Sequence, residues 1–86
     1  MPEISSFYGI TIYMYWRDHA PPHFHARYAE HWAEIRIQDG TVLGGSLPPR
    51  ALRLVEEWRT GHVQELRDNW QRVQKPKAPN RIEALP

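Results

Sequence analysis

The chain has 86 residues, 41% of them hydrophobic and 24% charged, a composition typical of one globular domain rather than of a disordered segment. The formal net charge of +1 is too small to favour nucleic acid or an anionic membrane through overall charge alone. Cysteine is absent, which excludes disulfides and any zinc or redox site built on thiolates.

The first predicted strand covers residues 8–16 and follows a short lead over residues 1–7. It is rich in Ile, Tyr, Thr and Trp, the residue types that suit a pleated sheet. Because side chains alternate between the two faces of a strand, one face is predicted to pack on the core. That face carries Ile10, Ile12, Met14 and Trp16, and the opposite face carries Gly9, Thr11, Tyr13 and Tyr15.

A corner over residues 17–22 leads into a second predicted strand over residues 23–28. Pro21 and Pro22 each fix one φ angle and push the residue before them away from the helical region. In the strand that follows, one face is apolar and is predicted to pack on the core, with Phe24, Ala26 and Tyr28. The opposite face is therefore expected to be open or only partly covered, and it carries His23, His25 and Arg27.

Residues 32–38 form a third predicted strand, joined to the second by a short turn over residues 29–31. Ala33, Ile35 and Ile37 alternate with polar side chains, the pattern of an antiparallel strand with one covered face. In a tight hairpin the polar faces of the two strands coincide. The hairpin is therefore predicted to place five polar side chains on one surface, namely His23, His25, Arg27, Glu34 and Arg36.

A turn at Asp39-Gly40 and a brief extended piece over residues 41–43 precede one long predicted helix. Gly44-Gly45-Ser46 releases the chain, and the helix covers about residues 50–74. Side chains of one stripe recur there every three or four residues: Ala51, Val55, Trp58, His62, Leu66, Trp70 and Val73. Gly61 costs about 1 kcal/mol relative to alanine inside a helix. Because the stripe stays in phase across Gly61, one uninterrupted helix is preferred.

Together these elements predict an α+β fold, an antiparallel meander of three to four strands with one long C-terminal helix packed on one face. A single domain over residues 1–86 is expected, with the meander in residues 1–45, the helix within residues 46–74 and an extended, proline-rich tail over residues 75–86. Ile82 and Leu85 of the tail are predicted to join an edge. Without a signal peptide or an apolar run of about 20 residues, we expect a cytoplasmic protein with no membrane partner.

Three of the five histidines, His19, His23 and His25, fall within seven positions, directly after Asp18. Imidazole titrates near neutral pH and is the commonest metal ligand in proteins. The two strand histidines, at positions i and i+2, have Cα atoms about 6–7 Å apart, close enough to share a cation, an anion or a proton. A carboxylate such as that of Asp18 can orient one imidazole and raise its basicity.

The same stretch resembles the signature of a bacterial family called domain of unknown function 4160, Asp-His-x-Pro-Pro-His-x-His with an aromatic or aliphatic residue between the last two histidines. Residues 18–25 match it at each fixed position, and the similarity includes Pro2-Glu3-Ile4-Ser5, Tyr8-Gly9-Ile10, residues 44–48 and Arg81-Ile82-Glu83. The resemblance implies no assigned activity. It does imply a small partner protein encoded nearby, from the family called domain of unknown function 2442, in an arrangement similar to a toxin–antitoxin operon.

One interpretation of the histidine-rich face is a metal-independent RNA-cleaving toxin. The 2′-OH of RNA supplies the nucleophile, so the protein needs only proton transfer and phosphate binding. The candidate catalytic residues are Asp18, His19, His23, His25, Arg27 and Arg36. The strand histidines would transfer protons, the arginines would bind phosphate and Asp18 would orient a histidine. Tyr13 and Tyr15 would stack bases.

The alternative interpretations make the same face a metal site or a docking surface. His19, His23 and His25 form a usable ligand set for a divalent transition metal such as zinc, nickel or copper, which Asp18 or Glu34 would complete. The face could instead dock the partner protein, or a second copy of the chain in a homodimer. The imidazoles could also have a structural role by capping carbonyls left unpaired where the strand begins. The sequence does not decide between an enzyme and a binding domain.

Overall fold

The computed structural model describes residues 2–86 and consists of one antiparallel sheet and two helices. The strands are β1 (Glu3–Phe7), β2 (Ile10–Tyr13), β3 (His23–Tyr28), β4 (His31–Arg36) and β5 (Val42–Ser46). The helices are α1 (Pro49–Gly61) and α2 (Val63–Val73). The strands lie side by side in chain order, each antiparallel to its neighbours, so the predicted α+β meander is confirmed.

The sheet has five strands rather than three or four, because residues 3–7 pair with β2 instead of forming a lead. This segment contains two adjacent serines and lacks a clean alternation, so its pattern does not indicate a strand. Tyr8 and Gly9, assigned by their pattern to a strand, form the connecting turn. Both have positive φ angles, 50° and 80°, as a two-residue hairpin turn requires. The strand then ends at Tyr13, and Trp16, predicted to face the core, is exposed.

At the opposite edge, β5 includes Gly44 and Gly45, which the sequence pattern places in a loop. The backbone and the ring of Trp32 on β4 lie against this pair of glycines. A Cβ atom on Gly45, whose φ is 71°, would lie 2.2 Å from the carbonyl oxygen of Trp32. Only glycine permits this close approach, so the pairing of β4 with β5 requires glycines, a residue type that is otherwise typical of loops.

The apolar core lies between one face of the sheet and the two helices. The ring of Trp58 in α1 packs against Phe7 and Phe24, with ring centroids 5.5 and 5.8 Å away. The predicted core positions of the strands and of the helix stripe are buried at Ile10, Ile12, Met14, Phe24, Ala26, Ala33, Ile35, Ile37, Ala51, Val55, Trp58, Leu66, Trp70 and Val73. The hydrophobic periodicity therefore indicated these core positions correctly, whereas Tyr28, predicted to pack on the core, is exposed at the end of β3.

The single long helix predicted over residues 50–74 is wrong, because His62 leaves the helical region and divides it into α1 and α2. His62 has φ −137° and ψ 25°. A straight helix over these residues would be about 37 Å long at the usual rise per residue, whereas the longest dimension of the protein is 33 Å. The break lets both helices keep their apolar sides on the core.

The C-terminal tail joins the edge of the core, as predicted. The Ile82 amide donates a hydrogen bond to the carbonyl oxygen of Ile4 (3.0 Å), and Nε1 of Trp58 donates to that of Glu83 (2.9 Å). Ile82 is buried and Leu85 is partly buried against the same cluster. Across residues 2–86, no helix combines the length and the apolar character needed to cross a membrane.

Gly45→Ala should destabilise the protein, whereas Gly61→Ala should not. The backbone conformation at Gly45 costs a non-glycine residue about 1–3 kcal/mol, and the clash with Trp32 adds to this. At Gly61 nothing lies within 4 Å of a Cβ position, so alanine should raise stability by about 0.4–1 kcal/mol through its effect on the unfolded chain. Urea unfolding measures both effects, and equal midpoints for the two variants would contradict this account of Gly45.

Candidate functional site

The corner between β2 and β3 is attached to the C-terminal end of α2. The Arg17 amide donates a hydrogen bond to the carbonyl oxygen of Val73 (2.8 Å). The side-chain amide of Gln74 donates to the carbonyl oxygen of Asp18 (3.2 Å). These two bonds hold the corner beside the start of β3, so the Asp18 side chain has a defined position over the strand histidines.

Asp18 contacts both strand histidines through a single oxygen. Its Oδ2 atom lies 2.9 Å from Nε2 of His23 and 3.0 Å from Nε2 of His25. The His23 side chain has no exposed surface, and the side chains of His25 and Asp18 are only 7% and 13% exposed. The expectation of an open or only partly covered histidine face is therefore wrong for His23 and His25, which are buried because the corner folds back over them.

Aromatic rings complete the burial of the two imidazoles. Tyr13 stacks on His25 with a centroid distance of 5.2 Å, and the ring of Tyr15 meets the same imidazole edge-on at 4.7 Å. The ring of Trp70 in α2 lies 5.2 Å from that of His23. The strand alternation indicates the side of Tyr13 and Tyr15. The alternation does not predict the contact between Trp70 and His23, because these two residues lie in different elements, α2 and β3.

The hydrogen bonds of His23 determine which ring nitrogen carries a proton. Nδ1 lies 2.7 Å from the carbonyl oxygen of Pro21, and a carbonyl oxygen only accepts, so Nδ1 must be the donor. In a neutral imidazole Nε2 then presents a lone pair, which faces the Asp18 carboxylate. Because two acceptors at this distance repel one another, either a proton or a metal cation must lie between them.

The surroundings of Asp18 keep its carboxyl group ionised. Burial raises its pKa, but the hydrogen bond from His25, the hydrogen bond from the His19 amide and the nearby His23 together outweigh burial. The pKa of Asp18 is therefore lower than its ordinary value of 3.8. The ionised carboxylate is the form that binds a metal ion, as neutral imidazole is for histidine.

Within residues 2–86, two groups of three side chains could each hold one metal ion. The first comprises Asp18, His23 and His25, and the second comprises His19, His23 and Glu34. In both groups the ligand atoms lie within 4.8 Å of one another. The three histidines predicted to act together therefore do not form one group, because His19 and His25 fall in different groups and share only His23. Asp18 joins the group of His25, and Glu34 joins the group of His19.

The two predicted phosphate-binding arginines differ in their contacts. The guanidinium of Arg36 donates to both carboxylate oxygens of Asp39 (2.9 and 2.7 Å) and to the hydroxyl of Thr41 (3.1 Å). The Arg36 contact lowers the pKa of Asp39 well below its usual range. Arg27 makes one hydrogen bond among residues 2–86, from Nε to the carbonyl oxygen of Ala29 (3.5 Å). Arg36 is therefore engaged in a structural ion pair, and Arg27 is not.

Beyond His25, the open face of the sheet forms a concavity of about 410 Å³. Its walls include Tyr13, Tyr15, His25, Arg27, Trp32 and Glu34. The hairpin register places His25 opposite Glu34 and Arg27 opposite Trp32, which confirms that the polar faces of the two strands coincide. Burial, followed by the neighbouring Tyr15, raises the pKa of Tyr13. The phenol of Tyr13 is therefore uncharged at neutral pH.

The model of a family described as Domain of unknown function (DUF4160) matches residues 9–71. This range contains every residue of the two groups that could hold a metal ion, and it excludes β1 and the C-terminal tail. No curated protein matches the chain, and no solved structure matches it either.

Asp18→Asn should destabilise the metal-free protein by about 1–3 kcal/mol at neutral pH, because the buried imidazoles lose a charged hydrogen-bond partner. Folding lowers the pKa of Asp18, so its ionised form contributes stability above the ordinary value of 3.8, and this contribution is lost as the pH falls through the folded value. The difference in unfolding free energy between wild type and variant should therefore shrink in acid.

Urea unfolding in the presence of a chelator measures this difference at several pH values. Asp68→Asn is the matched control, since Asp68 is exposed on α2 and, among residues 2–86, its carboxylate accepts a hydrogen bond from Gln64 alone. A destabilisation by Asp18→Asn that stays constant from neutral to strongly acidic pH would contradict the assigned role of the carboxylate.

Proposed function

The chain belongs to the family described as Domain of unknown function (DUF4160), and we propose that it is a metal-binding domain for a divalent transition metal. Asp18, His23 and His25 would supply the ligands. The observation that carries the proposal is the arrangement of His23, whose Nδ1 is engaged by a backbone carbonyl while its Nε2 faces Asp18. Metal-bound histidines typically donate their other ring nitrogen in this way, which aims the lone pair at the ion.

The distances between the ligand atoms suit a metal ion. Atoms about 2.1 Å from an ion and at right angles to one another lie about 3 Å apart. Oδ2 of Asp18 lies 2.9 and 3.0 Å from the Nε2 atoms of His23 and His25. Two imidazole nitrogens with one carboxylate oxygen are a known ligand set of zinc and of non-haem iron(II). Three protein ligands leave positions at which the ion would bind water or a further ligand.

Electrostatics also favour a cation at this position. The Asp18 carboxylate is mostly buried, and a buried charge without a full partner is costly. A divalent ion would neutralise this charge and would also accept the lone pair that His23 directs at it. In the absence of metal, Nε2 of His25 donates to Asp18 and a proton on Nε2 of His23 could balance the charge. Both of these protons must leave before the two nitrogens can bind an ion. Protons and the metal ion therefore compete for the same nitrogens.

Metal-independent RNA cleavage receives less support from this geometry. A general acid or base must come within hydrogen-bonding distance of its substrate, yet the His23 side chain has no exposed surface. Arg36 is already engaged by Asp39. Membership of a toxin–antitoxin-like pair, with a small partner protein encoded nearby, stays a prediction, as do RNA binding and a homodimer.

Wild-type protein should bind a single Zn²⁺ or Co²⁺ ion per chain. His25→Gln should lower the affinity for the ion by more than about 100-fold, because it removes a ligand, and even substitutions outside the ligand set typically lower metal affinity 10- to 100-fold. Calorimetric titration gives the affinity, and the visible spectrum of bound Co²⁺ reports nitrogen and oxygen coordination. His31→Gln is the matched control, since His31 belongs to neither ligand group. Equal affinities of the two variants would contradict the proposed site.

The toxin prediction has a separate test in cells. If this chain is the toxin of a pair, its induced expression should arrest growth. His25→Gln, checked for normal folding, should then relieve the arrest, because it removes a proton-transferring residue of the toxin prediction, which is also a ligand of the proposed metal site. Growth curves after induction measure both effects. Arrest by the variant as well as by wild type would assign the harmful activity to another surface. Normal growth with wild type would contradict a toxin role for this chain.

A further inference from the structure

We propose that His19, His23 and Glu34 form an outer metal site through which a cation enters the buried one. We refer to Asp18, His23 and His25 as the inner site. The inference rests on the metal-binding function proposed above, and it adds a second site and an order of occupation. It follows from three features of the cluster, namely the difference in exposure between the two sites, their shared histidine and the pairing of their remaining ligands.

The first feature is access from solvent. The side chains of His23, His25 and Asp18 are 0%, 7% and 13% exposed, whereas that of His19 is 74% exposed. Glu34 is partly exposed and lines the open concavity. A hydrated cation arrives with its water shell and exchanges these waters for protein ligands one by one. The outer site offers the ligands that an arriving ion would meet first.

The second feature is that His23 belongs to both sites and can serve only one ion. Its Nδ1 is engaged by the carbonyl oxygen of Pro21 at 2.7 Å, so Nε2 is the one nitrogen available to a metal. A lone pair binds one metal ion at a time. The two sites are therefore alternatives, and an ion passing from one to the other can keep its bond to His23 throughout the transfer.

The third feature is that each remaining ligand of the outer site has an inner ligand beside it. Nδ1 of His19 lies 3.0 Å from Oδ1 of Asp18, while Oδ2 of the same carboxylate faces the inner histidines. Glu34 lies directly opposite His25 in the β3–β4 register, and side chains so paired have Cβ atoms about 5 Å apart. The ion would exchange His19 for Asp18 and Glu34 for His25 while it stays bound to His23.

Stopped-flow measurement of Zn²⁺ uptake by chelator-treated protein tests this route. His19→Ala and Glu34→Gln should each slow uptake about tenfold, the lower end of the loss that removal of a residue at a metal site typically causes, because each removes one of the ligands that an arriving ion would meet first. In Glu34→Gln, affinity at equilibrium and the single ion per chain should remain as in wild type, because the inner ligands are intact and Glu34 makes no hydrogen bond to any of them among residues 2–86. His19→Ala also removes a contact with Asp18 (3.0 Å), so its uptake rate alone serves as the test. Release into excess chelator should slow by the same factor, since entry and exit follow one route.

Two control variants test whether slower uptake results from loss of a ligand or merely from loss of a charge or of an exposed imidazole. Glu30→Gln removes a negative charge from the same concavity, and His31→Ala removes another exposed histidine, but neither residue belongs to a ligand group. Both controls should take up Zn²⁺ at nearly the wild-type rate. If Glu30→Gln slows Zn²⁺ uptake as much as Glu34→Gln does, the loss of negative charge alone explains the slower uptake, and the outer site is overturned.

The remaining outcomes also decide the proposal. Unchanged uptake rates in His19→Ala and Glu34→Gln would overturn it. Lower affinity without slower uptake would make these residues ligands of the resting ion, which contradicts an entry site. Two Zn²⁺ ions per wild-type chain would show that the sites do not compete for His23. Absence of Zn²⁺ binding by wild-type protein would instead refute the proposed function itself.

Discussion

The carbonyl oxygen of Pro21 controls the chemistry of the histidine cluster through one hydrogen bond. By accepting from Nδ1 of His23, it leaves Nε2 as the atom that faces Asp18. The carboxylate in turn contacts His25 with the same oxygen. Since the pKa of Asp18 is lowered, the cluster contains a negative charge that a proton or a metal ion must balance. The backbone of the proline corner thus determines what the imidazole can bind.

The fold and the site depend on each other through the end of α2. Arg17 and Asp18 are attached there by hydrogen bonds, and Trp70 of the same helix covers the ring of His23. His62 leaves the helical region between α1 and α2, and Trp70 lies in the helix that follows this break. Polar groups buried in this way must satisfy one another, because water cannot reach them.

Local patterns predicted much of the fold, and their failures have physical causes. The alternation in β3 and β4 and the helix stripe predicted most core positions correctly, because burial of one face imposes a period on neighbouring residues. The exceptions are Tyr28, which is exposed, and His62, at which the helix is interrupted. The pattern of residues 3–7 does not predict a strand, since its pairing with β2 comes from tertiary contact rather than from its own sequence. Gly44 and Gly45 resemble a loop in the sequence, although they lie in a strand. Glycine is needed at these positions because Trp32, a residue on another strand, lies against them, and the local pattern does not indicate this contact.

The sequence by itself determined which groups could meet at the site. Alternation placed His23 and His25 on one face of β3, and the short span to Asp18 kept a carboxylate within reach. The tertiary structure alone decided their burial, the exposure of the His19 side chain and the partners of the two ring nitrogens of His23. These properties depend on the path of the corner and on the packing of α2, which residues distant in the chain control. Periodicity is a local property, whereas access to solvent and ligand geometry are long-range ones.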